Sequence, residues 1–69
     1  MLLTITHKQD GLILGGAISP HDNVLGIASQ ACNNHFGAND CEVSFDGMVT
    51  FTDNEGQRCS EEVLIKVED

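Results

Sequence analysis

The stretch that decides the fold is Ser19–Gly37, SPHDNVLGIASQACNNHFG, which carries the signals of one helix. Ser19 suits the N-cap, Pro20 suits the first helical position, and Asp22 would face the positive end of the helix dipole. Gly37 is the matching stop, because glycine readily adopts the left-handed conformation that ends a helix. The sequence therefore predicts one helix over about 20–36.

One side of this helix is apolar and built from small residues. At about 100° per residue, one arc collects Val24, Ala28, Ala31, Cys32 and His35, with Leu25, Ile27 and Phe36 at its edges. The opposite side carries Gly26, Ser29, Gln30, Asn33 and Asn34. Because Ala28, Ala31 and Cys32 are small, we expect the helix to lie close against a sheet.

The segments that flank the helix have the pattern of strands. Leu2–His7 and Leu12–Gly16 predict an opening hairpin around the turn Lys8–Gly11. After the helix, 41–45 and 49–52 alternate with a period of two around Asp46-Gly47. A three-residue loop with a bulge would place five apolar residues on one face: Cys41, Val43, Phe45, Val49 and Phe51.

The last segment follows a turn at Asp53–Gly56 and also favours a strand. Cys59, Val63, Ile65 and Val67 share one parity, although Ser60-Glu61-Glu62 could instead cap a short terminal helix. The prediction is a single α+β domain over 1–69, with one helix on a mostly antiparallel sheet in the order β-β-α-β-β-β.

Charge and length limit the functions that the chain can have. The net charge is -8, and only three residues are Lys or Arg, so we expect no direct binding to nucleic acid or to an anionic membrane surface. No apolar run approaches the roughly 20 residues that cross a bilayer. A chain of 69 residues has little room for a catalytic constellation, and we predict no enzymatic activity and no cofactor.

The three cysteines allow several interpretations. An odd number rules out a fully paired disulfide set within one chain, and no signal-peptide pattern precedes them, so the expected location is the reducing cytoplasm. Buried structural thiols are the favoured interpretation. A Cys32–Cys41 disulfide is an alternative that needs an oxidising compartment. A second alternative is a zinc-stabilised module that binds the metal through Cys32, His35, Cys41 and Cys59.

Other chemical sites find weaker support. Cys32 lies near the helix C-terminus, where the dipole opposes a reactive thiolate. Gly15-Gly16 lacks the remaining residues of a phosphate-binding motif, and Glu61-Glu62 lacks calcium-ligand spacing. His7 and His21 are expected to be surface or packing residues.

Most acidic residues follow residue 39, and we predict that they lie on the sheet face away from the helix. One interpretation is solubility alone. The other is a recognition surface for a protein with a basic groove, formed by Glu42, Asp46, Asp53, Glu55, Glu62 and Glu68. In size and acidity the chain resembles the inhibitors of nucleic-acid enzymes that phages and mobile elements make, such as anti-restriction and anti-CRISPR proteins. A homodimer through an exposed edge such as Leu2–His7 is a further expectation.

Overall fold

One helix lies on one face of a five-stranded antiparallel sheet in a computed structural model that describes residues 1–69. The elements are β1 (Leu2–His7), β2 (Gly11–Ala17), α1 (Val24–Phe36), β3 (Glu42–Val43), β4 (Met48–Thr52) and β5 (Arg58–Glu68). The predicted α+β class and element order are confirmed. The helix has 13 residues, and no helix is long and apolar enough to cross a bilayer.

The strand order across the sheet is β2-β1-β5-β4-β3. The 11-residue strand β5 lies between the two hairpins and pairs with β1 on one side and with β4 on the other. Strand β1 is therefore internal, and the expectation that Leu2–His7 forms an exposed edge is wrong. The edges are β2 and β3. Since 58–68 is a continuous strand, the alternative of a short terminal helix is also wrong.

The helix begins later than predicted, at Val24. The side chain of Asn23 is the N-cap and accepts a hydrogen bond from the Gly26 N–H at 3.2 Å. Asp22 instead accepts from the Ser19 N–H at 2.8 Å, and this closes a separate turn over 19–22. The predicted start at residue 20 is wrong because the side chains of Ser19 and Asp22 accept hydrogen bonds within this turn and do not cap the helix. The predicted stop is confirmed, since Gly37 has a φ of 67°.

The β3–β4 connection is the predicted three-residue loop. The Ser44 N–H donates to the Met48 carbonyl at 2.9 Å, and Val43 pairs with Val49, so Phe45–Gly47 is the loop. The expectation that Phe45 faces the core is wrong, because the strand parity ends before it. Its side chain is 85% exposed.

The core beneath the helix is small and closely packed. Ala28 and Cys32 are completely buried, as their size predicts. Cys32 packs with Cys41, Val49, Phe51 and Val63, and Ala28 packs with Leu3 and Ile5. The two clusters share half-buried neighbours: Ile13, Val43 and Ile65. Asn33, predicted on the solvent side, is half-buried and accepts a hydrogen bond from the Cys41 N–H at 2.9 Å.

Candidate functional site

The sheet face turned away from α1, here called the open face, has no layer covering it. Alternation along β5 shows the division, because Val63 is buried while Glu62 and Leu64 are exposed. The open face consists of one side chain in two from each strand. Its members from β1 and β2 are Leu2, Thr4, Thr6, Leu12, Gly15 and Ala17, and those from β3, β4 and β5 are Glu42, Met48, Thr50, Thr52, Arg58, Ser60, Glu62, Leu64, Lys66 and Glu68.

Three of the predicted recognition acids lie on the open face. Glu62 receives the Lys8 ammonium at 2.8 Å, and Glu68 receives the Lys66 ammonium at 2.6 Å. The hydrogen bond and charge of Lys8 lower the pKa of Glu62. The carboxylate of Glu42 makes no hydrogen bond and no ion pair within the chain, so it is the one member of this set without an intramolecular partner.

The other three predicted acids lie in loops. Asp46 accepts a hydrogen bond from the Ser44 hydroxyl, and Glu55 is exposed at the tip of the β4–β5 turn. Asp53 accepts from the backbone N–H groups of Glu55 at 2.8 Å and Gln57 at 2.9 Å, and the Gln57 N–H contributes most to lowering its pKa. One carboxylate oxygen of Asp53 is therefore already used to hold its own turn.

An apolar row crosses the open face between these acids. Thr6 pairs with Leu12 on one side and Leu64 on the other, and both leucines are 65% exposed. Phe45 extends this row from the β3–β4 loop and helps to line a shallow groove of about 690 Å³ together with Thr6, Met48 and Leu64. Strand parity places Leu64 on this face, whereas Phe45 joins the row only because the loop turns it away from the core.

A second feature, here called the histidine cluster, consists of His7, Asp10 and His35. His7 ends β1, Asp10 lies in the β1–β2 turn, and His35 lies in the last turn of α1. Asp10 Oδ2 lies 3.0 Å from His7 Nδ1 and 3.2 Å from His35 Nε2. These two imidazoles lower the pKa of the Asp10 carboxyl, and the hydrogen bond with His35 is the largest cause.

His7 is the buried member of the cluster, and it was expected to be a surface or packing residue. It is 3% exposed, and its ring contacts the rings of His35 and Phe36 edge-on. The alternation of side chains along β1 predicts this burial, because His7 follows Leu3 and Ile5 on the same face of the strand. It does not predict the proximity of His7 to Asp10 and His35, since that depends on where the helix ends above the sheet.

The predicted zinc ligands are not brought together. His35 turns to Asp10, and the Cys59 thiol lies 3.5 Å from Asp53 Oδ2. The histidine cluster is the one group of three or more His, Cys, Asp or Glu side chains whose ligand atoms all lie within 4.8 Å of one another. Four ligands from Cys32, His35, Cys41 and Cys59 therefore do not form a site in this fold.

The cysteines are free thiols, so the Cys32–Cys41 disulfide is not formed. Burial, followed by the neighbouring Cys41, raises the pKa of Cys32 to about 11. Burial is also the main cause that raises the pKa of Cys41 and of Cys59. A thiol with a raised pKa is mostly protonated near neutral pH and is a poor nucleophile and metal ligand.

No protein-family model, curated protein or solved structure matches the chain. The open face and the histidine cluster are therefore the features from which a function can be inferred. The open face offers area, apolar contacts and charge. The histidine cluster offers two imidazole nitrogens and a carboxylate, which are ligand types that transition metals accept.

Proposed function

We propose that this chain is a non-enzymatic binding module whose open face recognises a protein with a basic surface. The observation that carries the proposal is the exposed apolar row Leu12, Leu64 and Phe45, which crosses an uncovered sheet face bordered by carboxylates. Exposed apolar patches with a polar rim commonly mark protein-binding surfaces. Solubility alone accounts for the acids but not for leaving these three side chains in water.

The charge of the chain supports a basic partner and argues against phosphate. Each basic side chain already contacts an acid of the same chain: Lys8 contacts Glu62, Lys66 contacts Glu68, and Arg58 contacts Asp40. No cation is left over to neutralise a nucleic-acid backbone or an anionic lipid. An excess of carboxylates instead speeds association with a positively charged surface.

We further propose that the partner is a nucleic-acid-handling enzyme, and that the chain acts in the cytoplasm as its inhibitor or modulator. Carboxylates spaced along strands can occupy the positions in a basic groove that phosphates otherwise take. Glu42 and Glu62 on the open face, with Asp46 and Glu55 in the flanking loops, would supply this charge. Small acidic anti-defence inhibitors from phages and mobile elements, such as anti-CRISPR and anti-restriction proteins, share this size and charge.

The test is affinity capture at low salt from the native host, followed by elution at high salt and identification of the captured protein. We expect a protein with a basic groove, and we expect Glu42→Gln combined with Glu62→Gln to weaken capture more than about tenfold. The matched control combines Asp22→Asn with Asp69→Asn, which removes the same charge outside the open face. Leu64→Ser changes no charge, so it should leave the association rate unchanged. We expect it to weaken the same complex by raising the dissociation rate.

Two outcomes would refute the proposal. One is a partner whose affinity is the same at low and high salt, and the other is equal weakening by the open-face pair and the control pair. A second copy of the chain, paired through the β2 edge, is the alternative partner. Light scattering during gel filtration would reveal it as a dimer whose mass does not depend on Glu42 or Glu62.

A further inference from the structure

We propose that the histidine cluster is a mononuclear binding site for Zn²⁺, with His7 Nδ1, Asp10 Oδ2 and His35 Nε2 as the protein ligands and water in the fourth position. The site lies where the β1–β2 turn meets the last turn of α1. Its three ligands are not members of the open face, although His7 and Asp10 also line the groove beside Phe45. The ligand set shares only His35 with the set that the sequence suggested.

The first argument is distance. Zinc bonds to histidine nitrogen and carboxylate oxygen at about 2.0–2.2 Å, so neighbouring ligand atoms of a tetrahedron lie roughly 3.3–3.5 Å apart. Asp10 Oδ2 lies 3.0 Å from His7 Nδ1 and 3.2 Å from His35 Nε2, and all three atoms lie within 4.8 Å of one another. Small side-chain rotations would therefore bring the three atoms to three corners of one coordination tetrahedron.

The second argument is an unsatisfied polar atom. His7 is 3% exposed, and its Nδ1 is buried without a hydrogen-bond partner. Asp10 Oδ2 is close enough but does not lie along the ring N–H direction, since the pair is 3.0 Å apart and still forms no hydrogen bond. When Nδ1 and an oxygen bind the same metal ion, the metal lies on the lone-pair axis of the nitrogen and the oxygen lies to one side of that axis. A buried nitrogen with no partner is costly, and a metal would satisfy it.

The third argument is the group behind His7. Glu61 Oε1 lies 3.5 Å from Nε2, on the opposite side of the ring from Asp10. A histidine that binds a metal through one nitrogen usually donates the other N–H to a carboxylate, which fixes the tautomer and orients the ring. Glu61 lies on that side of the ring at ion-pair distance. It is a half-buried acid on the helix-facing side of β5, where most side chains are apolar.

The elements that carry the ligands are held in place before any metal binds. Phe36 packs edge-on against both imidazoles, with ring centroids 5.1 Å from His7 and 4.8 Å from His35. The same ring stacks on Phe51 in the core. Binding would join the hairpin turn to the helix end across 25 residues of chain, and the fold would gain the stability of that link.

The experiment titrates Zn²⁺ into the metal-free full chain under reducing conditions and follows heat and melting temperature. We expect one ion per chain and a rise in melting temperature on the order of 10 °C at 100-fold excess over Kd. Asp10→Asn and His35→Gln change side chains outside the core, and each should weaken Zn²⁺ binding more than about 100-fold. That exceeds the loss of affinity expected when the changed residue only hydrogen-bonds to a metal ligand. Glu61→Gln should weaken Zn²⁺ binding by about tenfold. His21→Gln is the matched control and should leave binding unchanged.

Cobalt substitution distinguishes this site from one that uses thiols. Co²⁺ bound to two imidazoles and a carboxylate gives visible bands without the near-ultraviolet charge-transfer absorption of a thiolate. Nitrogen-15 spectra should show metal at Nδ1 of His7 and at Nε2 of His35. The proposal is overturned by the absence of stoichiometric binding, by binding that survives both Asp10→Asn and His35→Gln, or by a thiolate band in the cobalt spectrum.

Discussion

The ring of Phe36 stacks on the ring of Phe51 with centroids 4.7 Å apart and planes inclined by 15°. Phe36 is the last residue of α1, and Phe51 lies in β4 with 6% of its surface exposed. This contact fixes the C-terminal end of the helix above the sheet. Because His35 precedes Phe36, the same contact determines where the histidine cluster forms.

Removing the ring of Phe51 should destabilise the protein far more than removing that of Phe45. Truncation of a buried phenylalanine costs about 3–5 kcal/mol, whereas an exposed side chain costs within about 0.5 kcal/mol. Urea titration of Phe51→Ala and Phe45→Ala measures the difference. Since a domain this small holds only about 3–5 kcal/mol, Phe51→Leu gives a graded value if the alanine variant is unfolded. Equal losses for Phe45→Ala and Phe51→Leu would contradict the observed burial.

Gly47 should tolerate substitution less well than Gly56. Both have positive φ, 90° and 82°, but a Cβ on Gly47 would lie 2.9 Å from the Val63 carbonyl oxygen, while one on Gly56 meets nothing within 4 Å. Gly56→Ala therefore isolates the backbone strain, at about 1 kcal/mol, and Gly47→Ala adds a clash worth roughly 1–3 kcal/mol more. Thermal unfolding of the two variants tests this order, and a lower melting temperature for Gly56→Ala than for Gly47→Ala would refute it.

Asp40 should stabilise the fold at neutral pH and lose its contribution in acid. The hydroxyl and N–H of Thr52 donate to its carboxylate at 2.6 and 2.8 Å, and Arg58 donates at 3.0 Å. These groups, Thr52 first, lower the pKa of Asp40 from its usual 3.8. The folded state therefore binds a proton less readily than the unfolded chain, so the contribution is full above about pH 4 and disappears as pH falls through the lowered value.

The measurement compares melting temperatures of wild type and Asp40→Asn from pH 7 to pH 2. We expect the variant to melt a few degrees lower at pH 7, with the gap narrowing below about pH 4. Glu42→Gln is the control, because Glu42 has no partner within the chain, and its gap should be small throughout. A gap for Asp40→Asn that stays constant down to pH 2 would show that the charge of Asp40 is not what stabilises the fold.

The three thiols should react slowly in the native protein, with Cys32 the last. Cys32 is completely buried and its pKa is about 11, whereas Cys59 is only half-buried. Iodoacetamide at pH 8 should therefore modify Cys59 first, and peptide mass spectrometry identifies the site. In urea all three should react rapidly and alike. An early adduct on Cys32 would mean that the helix opens more readily than its packing indicates.

Local patterns in the sequence were sufficient for most of the architecture. Strand patterns identified β1, β4 and β5, and Gly37 correctly marked the helix end, because these features depend on neighbours along the chain. The helix start was misjudged where two sets of capping residues lie together, and Asn23 rather than Ser19 caps α1. Phe45 was misplaced because parity predicts a side chain's direction only as far as the strand extends.

The candidate sites were less accessible to sequence reasoning. The acids of the open face were predictable, but the ion pairs of Glu62 with Lys8 and Glu68 with Lys66 reduce the charge that a simple count suggests. The apolar row needs three adjacent strands to be aligned. The histidine cluster forms only where the turn after β1 meets the end of α1, and its residues His7 and His35 are 28 positions apart in the sequence.

The sequence by itself determined the class of fold, the small core beneath the helix and the shortage of basic groups, because periodicity, residue size and charge are local properties. Only the tertiary structure decided that β5 lies between the hairpins, that β1 is not an edge, and that His7, Asp10 and His35 meet. These relationships join residues far apart in the chain. Strand order and helix placement depend on which packing buries the most apolar surface, and that choice is made by the whole chain at once.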